Sequence, residues 1–270
     1  MRTVFFISDR TGITAEALGN SLLTQFNDIE FKRVNIAFID TPSKAKHAAN
    51  QVKEASEADG RPALIFSTQI SKEYRQLLIS SGGIFFDFFE TFISKLEETL
   101  GTKSSQTVGL FHSMTDENNY GNRIDSINYA LSCDDGLNIK NYDRADIILT
   151  GVSRSGKTPT CLFLALQYGI FAANYPLIEE DLETIKLPTI LQKNKNKLFG
   201  LSINPVRLQN IRDERRSNSG YASIDQCRKE VKLAEDMFVQ NQVPFLDTSH
   251  TSIEEIAGRI LNKSAIKRRY

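Results

Sequence analysis

The sequence predicts an α/β protein of two domains, with a doubly wound parallel sheet over residues 1–105 and a nucleotide-enzyme-like domain built on a phosphate loop over 106–270. Short apolar, β-branched segments alternate with helical ones along the chain, the pattern of parallel sheets wound with helices. Gly101-Thr102-Lys103-Ser104-Ser105-Gln106 is polar and small and has no apolar face, so it reads as the linker. Gly151-Val152-Ser153-Arg154-Ser155-Gly156-Lys157-Thr158 fits the phosphate-cradling pattern G-x-x-x-x-G-K-[ST] at every fixed position.

In the first domain, 3–7 reads as a buried strand that ends in a polar glycine turn, Ser8-Asp9-Arg10-Thr11-Gly12. A helix is expected over 17–26, with Thr14 as a candidate cap. Strands follow at 34–39 and 62–67, and helices at 43–58 and 72–80. The run 84–89 fits either a strand or the entry to an amphipathic segment over 90–100, because periodicity alone does not separate the two. Ligands of such sheets sit beyond the carboxyl ends of strands, where the Ser8–Gly12 turn falls. The turn suits an anion, or it is a tight connection whose Asp and Thr satisfy local backbone groups.

The second domain opens on a short strand at 107–111, a polar loop over 112–121, a helix over 123–131 and the turn Asp134-Asp135-Gly136. The apolar run 145–150 enters the glycine loop and the helix formers of 161–166 leave it, which is the strand, loop, helix order that phosphate binding needs. Strands at 174–178, 197–203 and 243–247 then alternate with helices at 205–214, 224–241 and 252–261. The longest of these places Val231, Ala234 and Phe238 at helical spacing.

Each residue type in the loop has a physical task. Gly151 and Gly156 let the backbone curl so that Val152, Ser153, Arg154 and Ser155 present their N–H groups to phosphate oxygens. Lys157 supplies a point charge at the terminal phosphates, and the Thr158 hydroxyl is a magnesium ligand. Pro159 falls in the first helical turn, where its missing N–H costs least. Arg154 is either an internal counter-charge for the transferred group or a surface arginine paired with a carboxylate. Asp134-Asp135-Gly136 supplies a carboxylate for magnesium or for a hydroxyl proton, or is simply an Asp-Gly turn. Arg207, Arg212, Arg215 and Arg216 concentrate charge that either clamps a phosphate and docks a partner or forms a solvated helix face. His112 is a loop histidine that either meets phosphate or lies idle in solvent.

Composition excludes some classes. Lys+Arg and Asp+Glu both number 33, so no global field draws nucleic acid or an anionic membrane. Cys133, Cys161 and Cys227 are far apart with no C-x-x-C spacing, which argues against zinc or a disulfide framework and for reduced thiols in the cytoplasm. No apolar run approaches the ~20 residues of a spanning helix, and the first strand runs into Asp9-Arg10 too soon for a signal segment.

Three stretches together resemble the regulatory proteins of pyruvate, phosphate dikinase and phosphoenolpyruvate synthase, which are bifunctional kinase/phosphorylases. They are Ile7-Ser8-Asp9 with Thr11-Gly12-Ile13-Thr14-Ala15-Glu16, the run Gly151 to Thr160 as GVSRSGKTPT, and Phe199-Gly200-Leu201 with Arg207-Leu208, Ile211-Arg212, Glu214-Arg215-Arg216 and Tyr221-Ala222-Ser223. The resemblance covers essentially the whole length. GKTPT, Ala172-Ala173-Asn174-Tyr175-Pro176 and the ending Arg268-Arg269-Tyr270 look like the phosphoenolpyruvate synthase branch.

The resemblance implies a P-loop kinase domain that uses ADP to phosphorylate one threonine of the synthase and inactivate it. It also implies that inorganic phosphate removes the group, releasing pyrophosphate. The family's nucleotide site falls on Gly151 through Thr158, with Lys157, Arg154 and Asp135 as catalytic candidates, Thr158 as metal ligand, and a homodimer as the family's expected state. Asp135 is preferred as base because the family keeps the Asp134-Asp135 pair. Asn128, at a position usually acidic in the family, and Cys133, where histidine is frequent, depart from the pattern. Competing expectations are the same activities on pyruvate, phosphate dikinase, a small-molecule P-loop kinase or hydrolase, and a non-catalytic nucleotide-dependent binding module. The small-molecule reading requires an apolar strand ending in a metal-binding acid, for which Phe245-Leu246-Asp247 is the candidate.

Overall fold

The computed structural model describes residues 1–105, 107, 117–215, 220–264 and 266, with 117–120 as helix backbone. The chain divides into two compact units, Met1–Ser113 and Met114–Tyr270. Each is α/β and holds one four-stranded parallel sheet.

The first unit runs β1 (Arg2–Ile7), α1 (Ile13–Leu23), β2 (Phe31–Ile36), α2 (Pro42–Asp59), β3 (Leu64–Ser67), α3 (Lys72–Ile79), β4 (Ile84–Asp87) and α4 (Glu90–Leu100). Its strand order is β2-β1-β3-β4. The two-residue period of β1 sorts its side chains between two cores. Phe5 and Ile7 pack with Ala45, Ala48 and Val52 of α2 and Leu78 of α3, whereas Val4 and Phe6 pack with Ala15 and Leu23 of α1. Helices therefore cover both faces, as a doubly wound sheet requires.

Two boundaries are moved by a single backbone angle, and one open reading is decided. Helix α1 starts at Ile13 because Gly12 turns the chain at φ 78° and caps the helix without a side chain, so Thr14 lies inside the first turn and is not the cap. Strand β2 stops at Ile36 because Phe38 takes φ 58° and its amide donates to Arg10 O at 2.8 Å. The ambiguous run at 84–89 is a strand that hands over to a helix. Asp87 Oδ1 accepts the amides of Phe89 and Glu90 and so opens α4, while Asp87 Oδ2 holds Arg75 at 2.9 Å.

The second unit comprises α5 (Glu117–Ser132), β5 (Ile147–Gly151), α6 (Lys157–Tyr168), β6 (Ala172–Pro176), α7 (Glu179–Glu183), α8 (Thr189–Lys193), β7 (Leu198–Ser202), α9 (Pro205–Asp213), α10 (Ile224–Gln240), β8 (Phe245–Asp247) and α11 (Ile253–Lys263), with 3-10 segments at Asp134–Gly136, Ile139–Arg144, Lys195–Lys197 and Gly220–Ala222. Its order, β6-β5-β7-β8, repeats that of the first unit. Ile147 and Leu149 face α6 and α11 through Leu164, Ile256 and Ile260; Ile148 faces Tyr129 of α5 and Val231 and Phe238 of α10.

The end of the expected polar loop over 112–121 is helical, since α5 begins at Glu117. Helices α7 and α8 are five residues each, too short to show a helical period in the sequence. Residues 108–112, and with them most of the expected strand and His112, lie outside the described residues, as do Arg216 and the final Arg268-Arg269-Tyr270. Among the described residues no helix is long and apolar enough to cross a membrane.

Candidate active site at the glycine loop

In each unit the first strand of the chain is a central strand that leads into a glycine turn and a helix. Arg10-Thr11-Gly12-Ile13-Thr14 and Arg154-Ser155-Gly156-Lys157-Thr158 occupy this place, and Gly12 (φ 78°) and Gly156 (φ 89°) cap their helices alike. The chemistry differs. Ile13 stands where Lys157 does, and the first turn carries Asp9, whose carboxyl is buried and pushed to a higher pKa by that burial. With isoleucine at the lysine position and a buried carboxyl at Asp9, the Ser8–Gly12 turn is a poorer phosphate cradle than the second.

The second turn has the opposite character. At Gly151 φ is 151°, and a Cβ there would stand 2.2 Å from Leu201 O on β7, so only glycine fits. Arg154 holds a left-handed backbone, φ 78°. Helix α6 then starts at Lys157 without a side-chain cap, which leaves its first amides and positive dipole end to the loop. Thr248 Oγ1 donates to Ser155 O at 3.2 Å and Ser202 O at 2.9 Å, fastening the loop to the ends of β7 and β8. Ser155 Oγ is buried with no hydrogen-bond partner among the described residues.

Lys157 is 4% exposed, and its Nζ donates to Gly151 O at 3.1 Å and Val152 O at 2.9 Å. Burial lowers its pKa to about 8, against the pull of Asp135 and Asp134. An ammonium bonded only to carbonyls at the root of an uncapped helix is suited to an anion.

The two aspartates separate. Asp134 Oδ1 accepts Thr158 Oγ1 at 2.8 Å and the Asn174 side-chain amide. Asp135 takes φ 48°, its amide bonded to Asn174 Oδ1 at 3.0 Å, and lines a cavity of about 320 Å3 together with Arg154, Lys157, Thr158 and Arg215. Asn174 is itself fixed, its N–H donating to Cys133 O at 3.2 Å and its carbonyl accepting Tyr142 OH at 2.7 Å. No group of three His, Cys, Asp or Glu capable of holding a metal exists among the described residues. A hydroxyl, one carboxylate and phosphate oxygens with water are nevertheless the usual ligands of magnesium, and Thr158 beside Asp134 fits them.

Sequence reading missed what holds the loop. The sequence allows Arg212 in a phosphate clamp or on a solvated face, yet it is fully buried. Its Nη2 donates to Ser153 O at 3.2 Å and Glu230 Oε2 at 2.7 Å, and its Nη1 to Tyr221 O at 3.0 Å. Tyr221 stacks under the guanidinium, 4.0 Å from Cζ to the ring centre, and its hydroxyl donates to Ser153 Oγ at 2.9 Å. The one available signal was the spacing of α9, which puts Leu208 and Arg212 on the same buried face. Asp247 has no part in the loop cavity; its Oδ1 serves Ser249 at the end of edge strand β8.

A larger cavity, about 1150 Å3, lies at the amino ends of β5 and β7 beside Asp143, Arg144, Lys197 and Lys263. Open parallel sheets bind ligands at the carboxyl ends, and the uncapped helix and buried lysine are there, so position outweighs size.

Residues 4–261 match the family described as kinase/pyrophosphorylase. The chain belongs to this family. Among its relatives, a protein of Pseudomonas putida (strain W619) is 49% identical over 269 residues, covering 100% of this chain and 99% of that one. One of Alkalilimnicola ehrlichii is 52% identical over 268 residues, covering 99% and 97%. Both carry the name "Putative phosphoenolpyruvate synthase regulatory protein". The buried Lys157 and the Thr158 hydroxyl lie on the loop, and Asp135 lines the same cavity from the 3-10 turn before β5.

Proposed function

We propose that this kinase/pyrophosphorylase uses ADP to phosphorylate a threonine of phosphoenolpyruvate synthase, and uses inorganic phosphate to remove that group as pyrophosphate. The observation that carries the reading is that Lys157 and Asp135 line one cavity, beside Thr158 held by Asp134. The names of the relatives support the target.

In this reading the amides of 152–158 and Lys157 bind the phosphates of ADP, and Arg154 meets the group in transit. Phosphoryl transfer depends mostly on such positioning and charge neutralisation. Asp135 takes the proton of the attacking threonine hydroxyl. Thr158 and Asp134 would hold magnesium, which would supply charge neutralisation at the phosphates.

Burial gives this site a pH signature. Below about pH 8 Lys157 is already charged; above it the ammonium must regain a proton when an anion binds. ADP affinity is therefore expected to fall by up to about tenfold per pH unit above pH 8, as calorimetric titrations across that range will show. Affinity that stays level to pH 10 contradicts the role of Lys157.

The reverse reaction is tested with phosphorylated synthase and inorganic phosphate. Expected are loss of phosphothreonine, one pyrophosphate per threonine and recovery of synthase activity. Phosphate-independent release contradicts the phosphorylase half.

A further inference from the structure

A second cavity, of about 500 Å3, adjoins the one at the glycine loop, and Ser153, Arg154 and Arg215 line both. Arg212 and Tyr221 complete it. Among the described residues the two differ in charge: Asp135 lines the loop cavity, whereas Arg154, Arg212 and Arg215 and no acidic residue line the second. Arg212 is matched by Glu230. The guanidiniums of Arg154 and Arg215 form no hydrogen bond or ion pair with any described residue. Two unmatched guanidiniums on one cavity wall repel each other, and a tetrahedral dianion between them removes that cost and offers oxygens to both forks.

We propose that this second cavity is a separate subsite for a free phosphate dianion, with Arg154 and Arg215 shared between it and the phosphoryl group in the loop cavity. The assignment rests on the activity proposed above. In that reaction an oxygen of hydrogenphosphate attacks the phosphorus of phosphothreonine. The bond from phosphorus to the threonine oxygen breaks, that oxygen takes the proton carried by hydrogenphosphate, and pyrophosphate leaves. Two dianions have to meet, and cations shared between adjacent subsites offset their repulsion. The loop cavity sets Asp135 beside its cations, whereas no acidic residue among those described lines the second.

The test is titration of the full chain with inorganic phosphate alone, without ADP or synthase. Lys157→Ala protein is expected to retain phosphate binding, because the subsite does not contain Lys157. Adding Arg215→Gln is expected to weaken it by about tenfold or more, and Arg215→Lys to weaken it less, since a charge remains. Circular dichroism confirms that the variants are folded. Loss of binding with Lys157→Ala alone, equal binding with and without Arg215→Gln, or absence of phosphate binding in the unaltered protein overturns the proposal. The readout uses no nucleotide, so a failed kinase assay leaves it interpretable, and a failed phosphate titration leaves the ADP-dependent reaction standing.

Discussion

Replacing Lys157 with alanine is expected to slow phosphoryl transfer in both directions by about 10²–10³-fold or more, while the second unit stays folded. The rate effect follows from its place, since it is the one buried cation within the loop itself. Stability should not suffer, because the ammonium is desolvated and bonded only to the Gly151 and Val152 carbonyls. Its folded pKa of about 8 lies below the ordinary 10.5, so between those values the unfolded chain holds a proton that the folded protein has released. Stability of the unaltered protein should therefore climb with pH through that window, and Lys157→Met should lack the climb. Thermal melts at pH 8 and pH 10 measure the difference. A variant that transfers phosphate at the unaltered rate removes Lys157 from the site.

Replacing Arg212 with alanine is expected to cost about 3–5 kcal/mol, the usual result of removing one partner from a buried ion pair. Glu230, 13% exposed at its side chain, would be left without its cation. For a unit of this size that is a fall in melting temperature of about 10 °C or more. The loop would also lose the donor to Ser153 O and the platform under which Tyr221 reaches Ser153 Oγ. Arg212→Met with Glu230→Leu tests the division of labour. The double variant should recover most of the stability, as apolar replacements of buried pairs do. It should not recover the rate, because Ser153 O has then lost its donor and Tyr221 the guanidinium it stacks on. Recovery of both makes Arg212 a packing element only.

The alternation of strand and helix exposed both sheets to sequence reading, because β1, β3, β5 and β7 are short apolar runs bounded by turn residues. Boundaries failed where a single backbone angle decided them, as at Gly12 and Phe38, since nothing in a periodic pattern registers a positive φ. The loop motif was legible because its chemistry lies in eight consecutive residues. Asp134, Asn174, Arg212 and Tyr221 come to the loop from other elements, with Glu230 behind Arg212, and only folding brings them there. The Asp134-Asp135 pair shows the limit most plainly. The sequence marks two equivalent acids, and the left-handed turn at Asp135 sends one to Thr158 and the other to the cavity.

The most direct measurement of the central claim is transfer of label from ADP carrying its radioactive phosphorus at the β position to purified phosphoenolpyruvate synthase. The expected result is label on a threonine of the synthase, in step with its loss of activity, and none with the Lys157→Ala protein. Label that stays in nucleotide or free phosphate, or a synthase labelled from the γ position of ATP and never from ADP, contradicts it.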